Sequence, residues 1–488
     1  MGIVAKQSFY NSISIGVAFL IGAVNTVYLY PTYMGSALQG LVVALLALSN
    51  LVQPFISFGV QFAVIKFYSS CKTKEEKDRL LSFSLLVPIL IFLLILVLSF
   101  IFWESITAFV SKENKEMGQY AFMILAVAFS TAMFEVFYNW LRIQLHSVYG
   151  NFLKEFYPRA LIFVLLIVYA FGGLNLQGFI WALIIGYYLR LFLVVAYSLS
   201  LYRPKISWVL MRSHGDVLRY SFFIFMSGTA ASLILDIDKS MISNVLTVEN
   251  VAYYSVAIFI AAVIEFPGRA MFQIISPLVA KAINDQDNLT VSRLLKQSAN
   301  NLLLVSGLLF LLINLNLNDF YAWVNLGDYA VALDVVLVVS LGKLFSMSMG
   351  CLNNIITNSK YYPYVFWFSI GSAILAVLLN LYLIEQYGII GAAYATLMVI
   401  VLVNLLKILL VQLTFRINPY GRSSFLTLTV IASIYIIFNR VQFNYEPFLS
   451  LVIRSVLIGL IFSLLAYVLG LAKDFQKLAK KVFIKKNI

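Results

Sequence analysis

Leu80–Trp103 reads LLSFSLLVPILIFLLILVLSFIFW: 24 residues without one charge, entered directly from the polar run Lys72, Lys74, Lys77 and Arg79. As a helix it extends about 36 Å at 1.5 Å per residue, enough to cross a hydrocarbon core of roughly 30 Å. It is not alternating, so it has no polar face to turn to water; only lipid accepts such a segment on every side. The rest of the chain follows suit. Of 488 residues, 62% are hydrophobic and 11% charged, with a mean hydropathy of +0.93, too little charge to clothe a soluble domain. Apolar runs recur near 8–31, 40–66, 80–103, 118–141, 156–173 and 179–201, then near 217–246, 251–280, 297–316, 329–357, 361–384 and 389–414, and finally near 422–439 and 448–472. The sequence therefore predicts an all-α polytopic membrane protein with about fourteen transmembrane helices.

The net charge of +13 does not point to nucleic acid, because the basic residues sit in short gaps between apolar runs, where anionic lipid headgroups lie. One set of alternate gaps, with both termini, holds 25 of the 34 Lys and Arg residues; the opposite set holds only Lys112, Lys115 and Arg440. The positive-inside rule places both termini in the cytoplasm, with Lys473–Lys486 expected to form a basic, lipid-facing helix. No small-residue cleavage site follows the first apolar run, so it is expected to be a retained start-transfer helix. Cys71 lies in a gap and Cys351 in a span, which argues against a disulfide. External gaps are short, leaving no room for a periplasmic catalytic domain.

A weak duplication runs through the chain. Ser8-Phe9 matches Ser221-Phe222, Pro54 matches Pro267, Gly178 matches Gly391 and Ala182 matches Ala395, each pair 213 residues apart. Spans 1–6 and 7–12 then form two six-helix lobes, residues 1–216 and 217–416, related by a pseudo-two-fold axis along the membrane normal. Residues 417–488 add two helices and the basic tail.

Ionisable residues at bilayer depth are costly and mark candidate sites. Arg190, Glu265, Arg269 and Lys343 fall near mid-membrane, Glu135 in the inner half, and Asp236, Asp238 and Lys239 in the outer part of span 7. Asp334 and Arg454 lie near the external surface and Lys407 towards the cytoplasm; Lys407 and Arg454 are expected to snorkel to headgroups. Glu265 and Arg269 are four apart around Pro267, so they read as an ion pair on a kinked helix, structural or functional. Asp236 and Lys239 share a face and Asp238 points elsewhere. Arg190 and Lys343 have no evident local partner, so a cavity lined by them favours an anionic substrate such as a phosphate or pyrophosphate. Arg269, Lys343, Arg190 and Lys239 are the candidate substrate contacts. Glu265, Asp236, Asp238 and Glu135 are the candidate ion-coupling groups; Glu135 is either protonated or paired with Arg142. No G-x-x-x-x-G-K-[ST], G-x-S-x-G or H-E-x-x-H occurs, and His146 and His214 lie far apart, so no nucleotide, metal or other cofactor is expected.

Around spans 7–8 the sequence reads Asp236-Ile-Asp238-Lys-Ser-Met-Ile-Ser-Asn-Val-Leu, then Val251-Ala-Tyr-Tyr254-Ser255-Val256-Ala257, Ile264-Glu-Phe-Pro267-Gly and Ile275-Ser-Pro277-Leu-Val-Ala-Lys281. Span 12 opens with Gly388-Ile-Ile-Gly391-Ala-Ala393-Tyr-Ala395-Thr396, and span 2 runs from Gly40-Leu41 to Gly59. Together these resemble the polysaccharide-biosynthesis branch of the multidrug/oligosaccharidyl-lipid/polysaccharide exporter superfamily, with Ala252-Tyr253 standing where that branch has Gly-x. The resemblance implies an O-antigen or exopolysaccharide flippase of the bacterial inner membrane. Its cargo would be undecaprenyl-pyrophosphate-linked oligosaccharide, moved to the periplasmic leaflet by alternating access coupled to H⁺ or Na⁺. Partners would be membrane lipids and other polysaccharide-assembly membrane proteins, with no nucleic acid and no enzymatic activity. Glu265-Phe-Pro267 also resembles the lipid II flippase branch, but that branch carries arginines in span 1 and this span has no charge. The competing readings are a cation-coupled multidrug efflux transporter, an O-antigen polymerase or ligase, and a non-transporting scaffold.

Overall fold

A computed structural model describes residues 14–68, 71–144, 146–205, 214–441, 443 and 445–471. The basic tail at 473–486 and the first residues of span 1 lie outside them. Among the described residues there is helix and no strand. Ten helical stretches are long and apolar enough to cross a membrane, which makes this a multi-pass membrane protein; Val217–Met226, Ile274–Asn284 and Arg422–Phe438 are shorter apolar helices. These counts are of the described residues; among them the expected spans near 8–31 and 40–66 fall largely in one helical stretch, Ser14–Ser57, and some other expected spans are interrupted.

In order, the main helices are α1 (Val24–Met34), α2 (Gly35–Ser57), α3 (Val60–Tyr68), α4 (Lys74–Ile101), α5 (Ala121–Ile143), α6 (Tyr157–Ala170), α7 (Leu176–Leu201) and α8 (His214–Val245). These are followed by α9 (Val248–Ala262), α10 (Phe266–Asn284), α11 (Asn288–Asn314), α12 (Leu333–Ser348), α13 (Pro363–Tyr387), α14 (Ile389–Phe415), α15 (Arg422–Phe438) and α16 (Pro447–Val468). Polar residues set the starts. Thr73 and Glu76 form a capping box ahead of α4, Asn175 caps α7 and Asp287 caps α11, each satisfying N–H groups that the helix itself cannot.

The chain divides into two compact units, residues 1–255 with 376–388, and residues 256–375 with 389–488. In the first, α2 packs along both α5 and α8, and α5 packs along α7. The seam between α2 and the α8–α9 region relies on glycine. A Cβ on Gly40 would lie 1.7 Å from the Val248 carbonyl oxygen, and one on Gly59 (φ +72°) 2.3 Å from that of Ser221. Between these points Asn50 Nδ2 donates to Asp236 Oδ2 (3.2 Å), and Phe58 stacks on Phe225 at 5.2 Å between centroids. Asn114 reaches the α8–α9 turn from the loop before α5: its amide donates to the Ser243 and Leu246 carbonyls (2.8 and 3.1 Å) and its oxygen accepts from the Val248 N–H (2.8 Å). Helix α1 is wound as a π-helix around Pro31, and Gly35 (φ +72°) turns it into α2.

In the second unit α11 is the axis against which α10, α12 and α15 pack. Arg454 corrects an expectation here. It does not snorkel but is buried at 9% exposure, with Nη1 donating to Asp319 Oδ2 (2.7 Å) and to the Leu315 carbonyl (2.6 Å). An arginine on α16 can do this because the short helix Leu317–Trp323 turns its carboxylate inward and packs on α16.

This packing can be tested at two places. Gly40→Ala should destabilise by about 1–3 kcal/mol, because the new methyl meets backbone rather than a yielding side chain. Gly371→Ala, with nothing within 4 Å, should melt like wild type in the same detergent. Arg454→Ala should cost about 3–5 kcal/mol by stranding Asp319, while the double change Asp319→Leu/Arg454→Met restores most of it. Thermal unfolding of the purified variants measures both.

Candidate functional site

The acidic stretch of α8 splits by helical rotation. Asp236 and Lys239 are three apart and join, Nζ to Oδ1 at 2.8 Å. Asp238, about 200° round the helix from Asp236, turns the other way. It is buried at 6% exposure, and its carboxylate accepts from the Tyr254 hydroxyl (2.6 Å) and the Asn380 amide (2.7 Å). A carboxylate in apolar surroundings persists only with such donors, and hydrogen bonds to an ionised acceptor are the strong ones. The arrangement draws together α8, α9 and the second half of α13, all in the first unit.

Arg190 on α7 is 4% exposed. Its Nη2 donates to Thr131 Oγ1 (3.2 Å), and its guanidinium lies 4.3 Å from the Phe134 ring centroid and 4.7 Å from that of Tyr187. Among the described residues no carboxylate lies within ion-pair distance, and Nε is buried without a hydrogen-bond partner. Aromatic faces and a hydroxyl thus hold a cation that no counter-ion neutralises. Glu135 lies one helical turn from Thr131, but its partner is Lys154 (Nζ to Oε1, 2.7 Å). This corrects the alternative of a pair with Arg142. Seven residues along one helix is roughly 10 Å, and Arg142 instead bonds Asn139 (3.0 Å).

In the second unit the proline motif holds a different ion pair from the expected one. Val263–Glu265 is a 3₁₀ turn and α10 restarts at Phe266. Pro267 has no N–H to offer the Val263 carbonyl, which accepts from Phe266 instead, and the Ile264 carbonyl accepts from the Ser306 hydroxyl (2.9 Å). With ψ at −10°, Glu265 leaves the α-helical register that would stack it under Arg269. It pairs with Lys343 of α12 at 3.1 Å, so Lys343 is not a free cation. Arg269 is exposed and makes no ion pair among the described residues.

Sequence reasoning located the charges but missed Tyr254, Asn380, Asn50, Thr131, Asp319 and Asn114, which hold or complement them. Asn380 and Asn50 did leave a signal, since an amide within an apolar run needs a partner as a charge does.

A family model described as "Polysaccharide biosynthesis protein" matches residues 4–266. No curated protein matches the sequence. Among solved structures, the chain is similar to the lipid II flippase MurJ in an inward closed conformation, at TM-score 0.73 and 18% identity, covering 95% of this chain and 99% of that one. It is also similar to an inward-facing multidrug resistance MATE family transporter of the MOP superfamily, at TM-score 0.62 and 14% identity over 84% of this chain and 94% of that one. A structure of the MATE multidrug transporter DinF-BH gives TM-score 0.54 and 16% identity, over 84% and 95%. Such identities speak for a shared fold. The chain belongs to the polysaccharide biosynthesis protein family and shares its fold with the MurJ and MATE structures.

Proposed function

We propose that this protein is a flippase for lipid-linked oligosaccharide. It carries undecaprenyl-pyrophosphate-linked glycan from the cytoplasmic to the periplasmic leaflet of the bacterial inner membrane, with fourteen crossings and both termini in the cytoplasm. The observation that carries this reading is the family match over residues 4–266, on a chain of which 95% aligns with the structure of a flippase. Transport proceeds by alternating access, and the repeat expected between residues 1–216 and 217–416 supplies its two lobes. A non-enzymatic role fits the absence of hydrolase and nucleotide-binding motifs from the sequence.

The buried charges take separate parts in this reading. Arg190, which is buried, and Arg269, which is exposed, make no ion pair among the described residues and bind phosphate oxygens. Lys343 and Lys239 reach the same class of group once released from Glu265 and Asp236. Asp238 is the first choice for the coupling H⁺ or Na⁺, because its carboxylate is buried and held by groups that can be exchanged. Glu135, Glu265 and Asp236, each already neutralised by a lysine, are secondary. The lipid II flippase likeness favours lipid II as a second cargo, although the described part of span 1 carries no arginine.

The test is glycan export in cells lacking the gene, complemented with wild type, Asp238→Asn or Arg269→Ala at matched membrane levels. Lipid-linked oligosaccharide should accumulate on the cytoplasmic side in the null strain. Asp238→Asn should lower the export rate at least about tenfold, as expected from loss of a charged hydrogen-bond acceptor of roughly 1.5–3 kcal/mol. Normal export from a null strain with no second flippase would sink the reading, and accumulation of lipid II instead would select the second cargo.

A further inference from the structure

Within the second unit, α12 and α15 each pack along α11, and between them a cavity of about 480 Å³ remains. One face of each helix lines it: Leu341, Leu344 and Phe345 from α12, and Phe425 and Leu428 from α15. Leu341, Phe425 and Leu428 are exposed on its flank, so it opens sideways to the hydrocarbon. Its volume lies in the range of roughly 300–1,000 Å³ typical of small-ligand sites. Three hydroxyl side chains, Ser348, Tyr420 and Ser424, stand on its wall towards the α14–α15 linker. Ser348 and Tyr420 hydroxyls share a hydrogen bond of 3.0 Å, and Ser424 donates to Asn300 (2.9 Å).

The chemistry at that end is one-sided. The linker from α14 to α15 reads Arg416-Ile-Asn-Pro-Tyr-Gly-Arg422; both arginines are exposed, and no acidic residue occurs from 416 to 438. Gly421, on the cavity wall, sits between them at the start of α15, where backbone N–H groups and the helix dipole favour an anion. An acyl chain gains nothing by leaving one hydrocarbon environment for another, so the headgroup must decide which lipid occupies such a cleft. Two arginines that make no ion pair among the described residues, beside a helix start, select a phosphate that carries net negative charge.

We propose that this cleft is a binding site for an anionic membrane phospholipid, its acyl chain between α12 and α15 and its phosphate against Arg416 and Arg422. The bound lipid fills the gap beside α11 and braces α15 on the unit. This site is separate from the buried charges assigned to transport above and does not depend on the identity of the cargo.

The experiment uses the purified full-length protein, with dioleoylphosphatidylglycerol and dioleoylphosphatidylcholine as probes of equal chain length. Lipid retention is read by native mass spectrometry and stability by melting temperature. Wild type should retain one phosphatidylglycerol in preference to phosphatidylcholine and melt higher in its presence. Arg416→Ala/Arg422→Ala should lose that preference, weakening binding on the order of tenfold or more, since each basic residue at an anionic surface contributes about fivefold. Leu428→Trp, which fills the cavity without touching the arginines, should lose the retained lipid while keeping wild-type helix content by circular dichroism. Equal retention of both lipids by wild type would overturn the proposal, as would an undiminished preference in the double variant. So would displacement of phosphatidylglycerol by equimolar undecaprenyl phosphate, because the cleft would then belong to the carrier lipid.

Discussion

Polar groups at bilayer depth must be satisfied from within the protein, and the interior of this molecule is organised around meeting that demand. Hydrocarbon offers no hydrogen bonds, so each charge that the chain places in a span obliges some other element to come to it. Arg454 fixes the short helix Leu317–Trp323 against α16. Asp238 draws a tyrosine and an asparagine from two other helices. Glu265 ties the start of α10 to the middle of α12. With no hydrophobic force to press one apolar helix on another in lipid, such contacts and close backbone packing decide which helices are neighbours.

The seam along α2 shows the second device at work. Gly40 and Gly59 let backbones approach at two points, Asn50 and Asp236 bond between them, and Phe58 closes on Phe225. Asn114 pins the turn beyond with three hydrogen bonds to main-chain groups. Backbone contact, amide-to-carboxylate contact and ring stacking respond to different perturbations, so a change at one level leaves the others to hold the register.

Much of this was legible in the sequence. Runs such as Leu80–Trp103 decide the class, because no other solvent accepts them. The motifs around Asp236–Lys281 and Gly388–Thr396 were enough to identify the family. The local Asp236–Lys239 pair was also readable, because helical rotation is arithmetic. What could not be read were pairings made through space. Lys343 and Glu265 are distant in sequence, as are Arg454 and Asp319, and no periodicity links them. The reading of Glu265 with Arg269 failed for a local reason: it allowed for a kink at Pro267 but kept the four-residue spacing on one face, and the 3₁₀ turn at Val263–Glu265 removes that register. Cys71 and Cys351 are both free, as their positions suggested.

Arg190 has a consequence of another kind. The Glu265–Lys343 pair moves as a dipole and carries no net charge, so an electrical field across the bilayer does little work on it. Arg190 is surrounded by rings and a hydroxyl, with no ion-pair partner among the described residues to cancel its charge. If α7 shifts along the membrane normal, that charge crosses part of the membrane voltage, worth about 2.3 kcal/mol per 100 mV for a complete passage. Any such shift would make the balance between conformations of the first unit depend on the membrane voltage.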